Sequence, residues 1–195
     1  MKTIVWDLDD VLNSLMESWL EKAFRLEHPE NTVAFAELRS NPPLLELNLG
    51  QEEYLRSLDR FRNSREGREM PPHPIILDWF QQFGHRFNHH VLTARPHSTV
   101  ATASAWVFEH LGTWFRHFHF VPSSRQGVAL PVYEATKGEV LRGIGRVDYF
   151  IDDSPDNVAD AQALGICAFL FPQPWNAGTE SVDRLLEDLR FAQST

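Results

Sequence analysis

The chain has 195 residues, 43% hydrophobic and 23% charged, the make-up of one globular domain or one core domain with a modest insertion rather than a fibre or a disordered tail. Its formal net charge of −9 excludes sequence-independent binding to a nucleic-acid polymer, although a single phosphate needs only a local basic pocket. No apolar run is long enough for a signal peptide or a membrane span, so no membrane association is expected and the expected location is cytoplasmic.

The first predicted element is a strand at 3–7, TIVWD, which runs into three acids, Asp7, Asp9 and Asp10. Residues 13–72 then read only as helices, SLMESWLEKAFRLEH and QEEYLRSLDRFRN, joined by the Pro-containing NPPLLELNLG. A block this long is not an ordinary crossover, so 13–72 reads as a small helical cap over a core made of 1–12 and 73–195. Next come a helix in PIILDWFQQFG, from Pro74 to a stop at Gly84, and a strand at 89–93, HHVLT, ending in Thr93 before Ala94 and Arg95. The helix HSTVATASAWVFEHLG leads to a strand at 117–121, and the helix KGEVLRGIG, opened by Lys137, to a strand at 148–153, DYFIDD. In SPDNVADAQALG, Ser154 is the N-cap, Pro155 the first helical residue and Gly165 the C-terminal stop. A strand at 166–171, ICAFLF, holds the single cysteine, Cys167, which excludes an intrachain disulfide and reads as a small buried hydrophobe. The helix TESVDRLLEDLRFAQ closes the chain. Strands alternating with helices imply right-handed crossovers and an open three-layer α/β fold, a Rossmann-like parallel sheet covered on both faces.

In such sheets ligands bind at the carboxyl ends of the strands. There the sequence puts Asp7, Asp9 and Asp10 after the first strand, Thr93 after the second, and Asp152 and Asp153 after the fourth, with Asp156 one turn later and Lys137 just before that strand. Asp7 and Asp9, two apart, project to the same side of an extended chain, and Asp10 elsewhere. Carboxylates from two strands, with backbone carbonyls and waters, suit Mg²⁺, whose charge offsets their repulsion. Thr93 and Lys137 offer a hydroxyl donor and a point charge to a phosphate.

DLDDV, LTAR, the isolated Lys137 and FIDDSPDN, in this order at strand ends, resemble the four motifs of the haloacid dehalogenase superfamily of phosphohydrolases, over roughly 1–12 and 73–175. Within it LTARP, WVFEHLGTWFRHFHFV and IDDSPDN followed by FPQPWN are similar to 5′-nucleotidases of the deoxyribonucleotidase type. The resemblance implies a Mg²⁺-dependent phosphomonoesterase acting on a small phosphorylated substrate, a nucleoside monophosphate first and another small phosphate ester second. It implies Asp7 as nucleophile and Asp9 as acid, then base. The metal would be held by the Asp7 and Asp152 carboxylates and the Asp9 backbone carbonyl, with Asp153 or Asp156 orienting the ligands from behind. Thr93, Ala94, Lys137 and Asp10 form the phosphate-binding group.

Other readings stand beside these. A receiver-like phospho-acceptor module also gathers Asp, Thr and Lys at strand ends, but needs an acceptor Asp on a middle strand before the Thr, where this chain has none. A catalytically silent phosphate-binding protein has no need of both Asp7 and Asp9. Arg95 reads as a phosphate ligand or a surface salt bridge. Arg56, Arg60, Arg62, Arg65 and Arg68 read either as a cleft-facing patch that attracts an anionic substrate or as a solvated mixed-charge face, and the interleaved Asp59, Glu66 and Glu69 favour the second. Trp19, Phe24, Tyr54 and Phe61 read as aromatic rings for stacking on a base or as cap core, and their helical spacing favours cap core packing. His89 and His90 point to opposite faces of a strand, and the phosphatase site uses neither His117 nor His119.

Overall fold

Runs rich in β-branched and aromatic residues, punctuated by Gly and Pro, build five strands: β1 Lys2–Trp6, β2 Phe87–Arg95, β3 Phe115–Pro122, β4 Tyr149–Asp152 and β5 Cys167–Leu170. All pair in parallel in the order β3-β2-β1-β4-β5. The computed structural model describes residues 1–176, 178 and 181–191. The longer helices are α1, a continuous rod over 15–27 with a π-helical turn at Leu20–Phe24, α2 Gln51–Asn63, α3 Pro74–Phe83, α4 Val100–Leu111, α5 Lys137–Ile144, α6 Pro155–Ala163 and α7 Val182–Phe191, with single helical turns at Leu44–Leu47 and Arg65–Arg68. The expected ends of the last helix, 179–180 and 192–193, lie outside the described residues. Among the described residues no helix is long and apolar enough to cross a membrane.

The two-residue period of the strands sorts the core into two layers. Ile4 and Trp6 of β1 pack with Val91, Phe115 and Ile151 against α3, α4 and α7, while Val5 joins Leu92, Val121 and Phe150 under α5 and α6. A third apolar cluster lies within 13–72 and joins Trp19, Leu20 and Phe24 of α1 to Tyr54, Leu58 and Phe61 of α2. Gly165 takes φ +79° to end α6, and its amide donates to the Gln162 carbonyl at 2.9 Å, so a residue with a Cβ would be strained there. Cys167 departs from expectation: it opens the edge strand β5, which has a neighbour on one side only, and is exposed.

His89 sits among Trp6, Trp79, Phe80 and Phe115. The Trp6 indole N–H donates to its Nδ1 at 3.1 Å, which places the imidazole proton on Nε2, 2.8 Å from the Gly84 carbonyl. On the other face His90 Nδ1 and His119 Nε2 are hydrogen-bonded at 3.1 Å, a cross-strand pairing that residue spacing alone does not show.

Burial pushes the His89 pKa down to about 4. The unfolded chain, with an ordinary imidazole pKa near 6.5, therefore takes up a proton before the folded one as pH falls. Stability should be lost progressively from about pH 6.5 to pH 4 and be kept above. Thermal unfolding across that range should show a shallower decline for His89→Gln than for the parent chain, and parallel curves would contradict this origin of the acid sensitivity.

Candidate active site

The order of the sheet reverses beside β1: the chain proceeds outward through β2 and β3, then returns to the other side of β1 with β4 and β5. A crevice opens at the carboxyl ends of strands at such a point. Asp7 follows β1 directly, and its amide donates to the Ile151 carbonyl at 2.9 Å, so the ladder continues far enough to hold Asp7 beside Asp152, the last residue of β4. Carboxylate oxygens of Asp7, Asp152 and Asp153 all lie within 4.8 Å of one another. Lys137, the first residue of α5, lies between two of them, with Nζ 2.8 Å from Asp7 and 2.7 Å from Asp152.

The surroundings spell out what each acid does. Asp152, fully buried, accepts from the Ser154 amide at 2.9 Å and the Asn157 side chain at 3.0 Å. Asp153 accepts from the Trp175 indole at 2.9 Å, and Asn176 donates to its carbonyl at 2.8 Å. Burial first, then the neighbouring carboxylates, push Asp7 well above the usual carboxylate range and Asp153 up to about 6. Burial works against the Lys137 ammonium as well, but Asp152 and Asp7 outweigh it and hold the group protonated. Three buried carboxylates against one ammonium leave an excess of negative charge on hard oxygen donors. That donor set fits a divalent cation such as Mg²⁺, for which Asp7, Asp152 and Asp153 are the candidate ligands.

Asp9 is elsewhere. β1 ends at Trp6, and the chain turns over the next residues, with Asp10 at φ +60° and the Leu12 amide donating to Leu8 O at 3.0 Å. The extended geometry that would align Asp7 and Asp9 therefore does not exist, and the Asp9 carboxylate turns to Arg95 of β2 and Arg62 of α2. Arg95 grips it through Nε at 2.9 Å and a second, shorter contact, and Arg62 NH2 is 2.9 Å away. Burial opposes the charge, but Arg95 and then Arg62 outweigh it and bring the Asp9 pKa down to about 2. Arg95 is thus neither a surface salt bridge nor free for a phosphate. Arg62, 9% exposed, leaves the solvated face where sequence reading put it, while Arg56, Arg60, Arg65 and Arg68 remain exposed. Asp59, one helical turn before Arg62, pairs with Arg62 at 3.0 Å and with Arg125 at 2.7 Å.

Asp7, Asp9, Asp10, Thr93, Ala94, Lys137 and Asp153 all line one cavity of about 320 Å³. Within it Asp10 accepts from the Met16 amide at 2.8 Å, and burial pushes its pKa well up. So placed, Asp10 tethers the start of α1, and its raised pKa favours the neutral carboxyl, which has a proton to donate. Asp156 is exposed on the first turn of α6, and the ligand-orienting contact expected of it is made by its neighbour Asn157. The roof of the cavity is a stripe of α2, Gln51, Tyr54, Leu55, Leu58 and Arg62, at the i, i+3, i+4, i+7 spacing of one helix face. Tyr54 therefore serves both the apolar cluster of 13–72 and the cavity; Trp19, Phe24 and Phe61 serve the cluster alone. The pairing of Asp59 with Arg62 on that stripe was the one sequence signal for Arg62.

No protein-family model matches the sequence, and no curated protein matches it significantly. Among solved structures the chain is similar to a hydrolase from Streptococcus pneumoniae TIGR4, at 15% identity over 97% of this chain and 100% of that one, with a TM-score of 0.61. It is similar to a haloacid dehalogenase-like family hydrolase from Streptococcus pneumoniae, at 15% identity over 96% and 90% of the two chains, TM-score 0.62. A third is a HAD-superfamily hydrolase, subfamily IA, variant 1, from Geobacter sulfurreducens PCA, at 17% identity over 97% and 96%, TM-score 0.54. Likeness at these identities shows the fold: the three-layer haloacid dehalogenase-like sheet.

Millimolar Mg²⁺ should raise the melting temperature of the chain in a concentration-dependent way, because the ion binds the folded cluster and not the unfolded chain. Asp153→Asn should raise the metal-free melting temperature by removing one repelling charge, and should cancel most of the Mg²⁺ shift. A parent protein whose unfolding ignores Mg²⁺ would defeat the assignment of these three acids to a metal.

Proposed function

We propose that this chain, with its haloacid dehalogenase-like fold, is a Mg²⁺-dependent phosphomonoesterase that forms an aspartyl-phosphate on Asp7, and that nucleoside 5′-monophosphates are its substrates. The observation that carries the reading is the placement of Asp7: anchored in the ladder beside Asp152, bridged to it by Lys137 and lining a cavity large enough for a small ester. The nucleotide preference rests on the resemblance of LTARP, IDDSPDN and FPQPWN to deoxyribonucleotidase-type sequences.

An oxygen of Asp7 attacks phosphorus as the ester P–O bond breaks, splitting one difficult displacement into two easier ones. The departing oxygen takes a proton from Asp9, which then removes one from the water that opens the acyl phosphate. When bound, Mg²⁺ neutralises charge on the phosphoryl oxygens. Lys137 and the Thr93 hydroxyl add fixed positive potential and a donor on the same side. The Arg95 and Arg62 guanidinium groups orient the Asp9 carboxylate and hold it ionised, the form that receives a proton from water in the second step. Arg62 belongs to residues 13–72, which serve as a cap, so cap position and Asp9 state are coupled.

Phosphate release measured across nucleoside monophosphates, sugar phosphates and an aryl phosphate tests the assignment. Asp7→Asn should abolish turnover with the fold intact; residual activity within tenfold of the parent would remove Asp7 as nucleophile. Asp9→Asn should cost about 10²–10⁴-fold on esters with poor leaving groups and much less on aryl esters. Equal losses across the series would count against proton donation. Chelation should stop turnover and Mg²⁺ restore it.

A further inference from the structure

The charges in the cavity limit what its substrate carries beyond one phosphate. Three cations line it, Lys137, Arg62 and Arg125, and each is already matched. Lys137 holds Asp7 and Asp152, Arg62 holds Asp9 and Asp59, and Arg125 makes a two-pronged pair with Asp59 at 2.7 and 3.0 Å. One N–H of Arg62, on Nε, lacks a partner, but the charge of its guanidinium is met by two carboxylates. A second anionic group on the substrate would enter among Asp9, Asp10 and Asp153 with no uncommitted cation to receive it.

The uncommitted polar group is a neutral one. Tyr54 is 4% exposed and lines the cavity from α2, and among the described residues its hydroxyl has no hydrogen-bond partner. Burial raises its pKa, so it remains a protonated donor at every physiological pH. Leu55, Leu58 and Met16 stand beside it as an apolar wall, and the Gln51 amide marks the open end of the stripe. A hydroxyl on a cavity-lining side chain that makes no hydrogen bond among the described residues is free to pair with a ligand, and favours one that offers it an acceptor.

The geometry points to Tyr54 as the residue that reads the leaving group, and to an uncharged hydroxyl-bearing alcohol, a nucleoside or sugar, as that group, with esters bearing a carboxylate or second phosphate rejected. This deepens the phosphomonoesterase reading and rests on it.

The test is binding of the leaving groups themselves to the full chain in Mg²⁺, by ligand-observed NMR titration, with deoxyuridine and ribose compared against glycolate and glycerate. The uncharged ligands should bind at least tenfold more tightly. Tyr54→Phe keeps the ring packed edge-on against Trp19, at 5.4 Å and 90°, so the fold is retained. It should weaken deoxyuridine or ribose about three- to tenfold, the equivalent of one lost neutral hydrogen bond, and leave the acids unchanged. Acids binding as tightly as the uncharged ligands, or a Tyr54→Phe change under twofold for both deoxyuridine and ribose, would overturn the inference. Failure of the parent reading shows differently, as no phosphate released from any ester while the binding contrast persists.

Discussion

Everything at the carboxyl edge of the sheet turns on one ammonium group held between two buried carboxylates. Lys137 reaches Asp7 and Asp152 across the junction of β1 and β4, and without it those acids would face each other and Asp153 in a medium that solvates charge poorly. The constraint reaches back into the fold. α5 must begin where Lys137 can reach the gap, which its N-cap secures, the Thr136 side chain accepting from the Glu139 amide at 3.2 Å. The same arrangement leaves three carboxylates against one ammonium, and that shortage of positive charge makes the cluster suited to a divalent cation.

A second set of charges joins the helical block to the sheet. Arg95, Asp9, Arg62, Asp59 and Arg125 form an unbroken alternation that starts on β2, crosses to α2 and returns to the segment after β3. Such a chain is weak evidence for stability, because desolvation offsets much of the attraction, but removing one member leaves an uncompensated buried charge at a cost of about 3–5 kcal/mol. Its effect is registry: residues 13–72 are aligned on the carboxyl edge by partners that accept one arrangement. Neutral contacts reinforce it. The Trp106 indole donates to the Met70 carbonyl at 2.7 Å, Thr102 to Asn63 at 3.0 Å, and Trp175 spans Asp153 and the edge of Phe35.

Trp175 and Asn176 illustrate how the segment after β5 contributes. Residues 171–176 follow a short edge strand and carry no acid or base, yet they position Asp153 through an indole N–H and a side-chain amide, and the Gln173 amide reaches the Asp10 carbonyl. Both acid-bearing turns are thereby steadied by one loop. A short polar segment supplying fixed donors around buried carboxylates is an economical way to keep them oriented, since each donor satisfies a lone pair that water no longer reaches.

The layering is legible in the residues alone. Alternating apolar residues sort Trp6 from Val5 and Ile151 from Phe150 onto opposite faces, helix-stop glycines such as Gly165 end the crossovers, and acids accumulate after β1 and β4, all of which are local patterns with a period of two or of one helical turn. Which charges meet emerges only once the chain is folded. Arg62 and Asp9 stand 53 positions apart and Arg95 and Asp9 86 apart, and no periodicity links them. Asp9 pairs with two arginines while Asp7 pairs with Lys137, and Asn157 rather than Asp156 faces Asp152 because of where the first turn of α6 points. Side-chain direction at the end of an element depends on the last few dihedral angles and on the partner waiting across the gap, and neither is written in residue spacing.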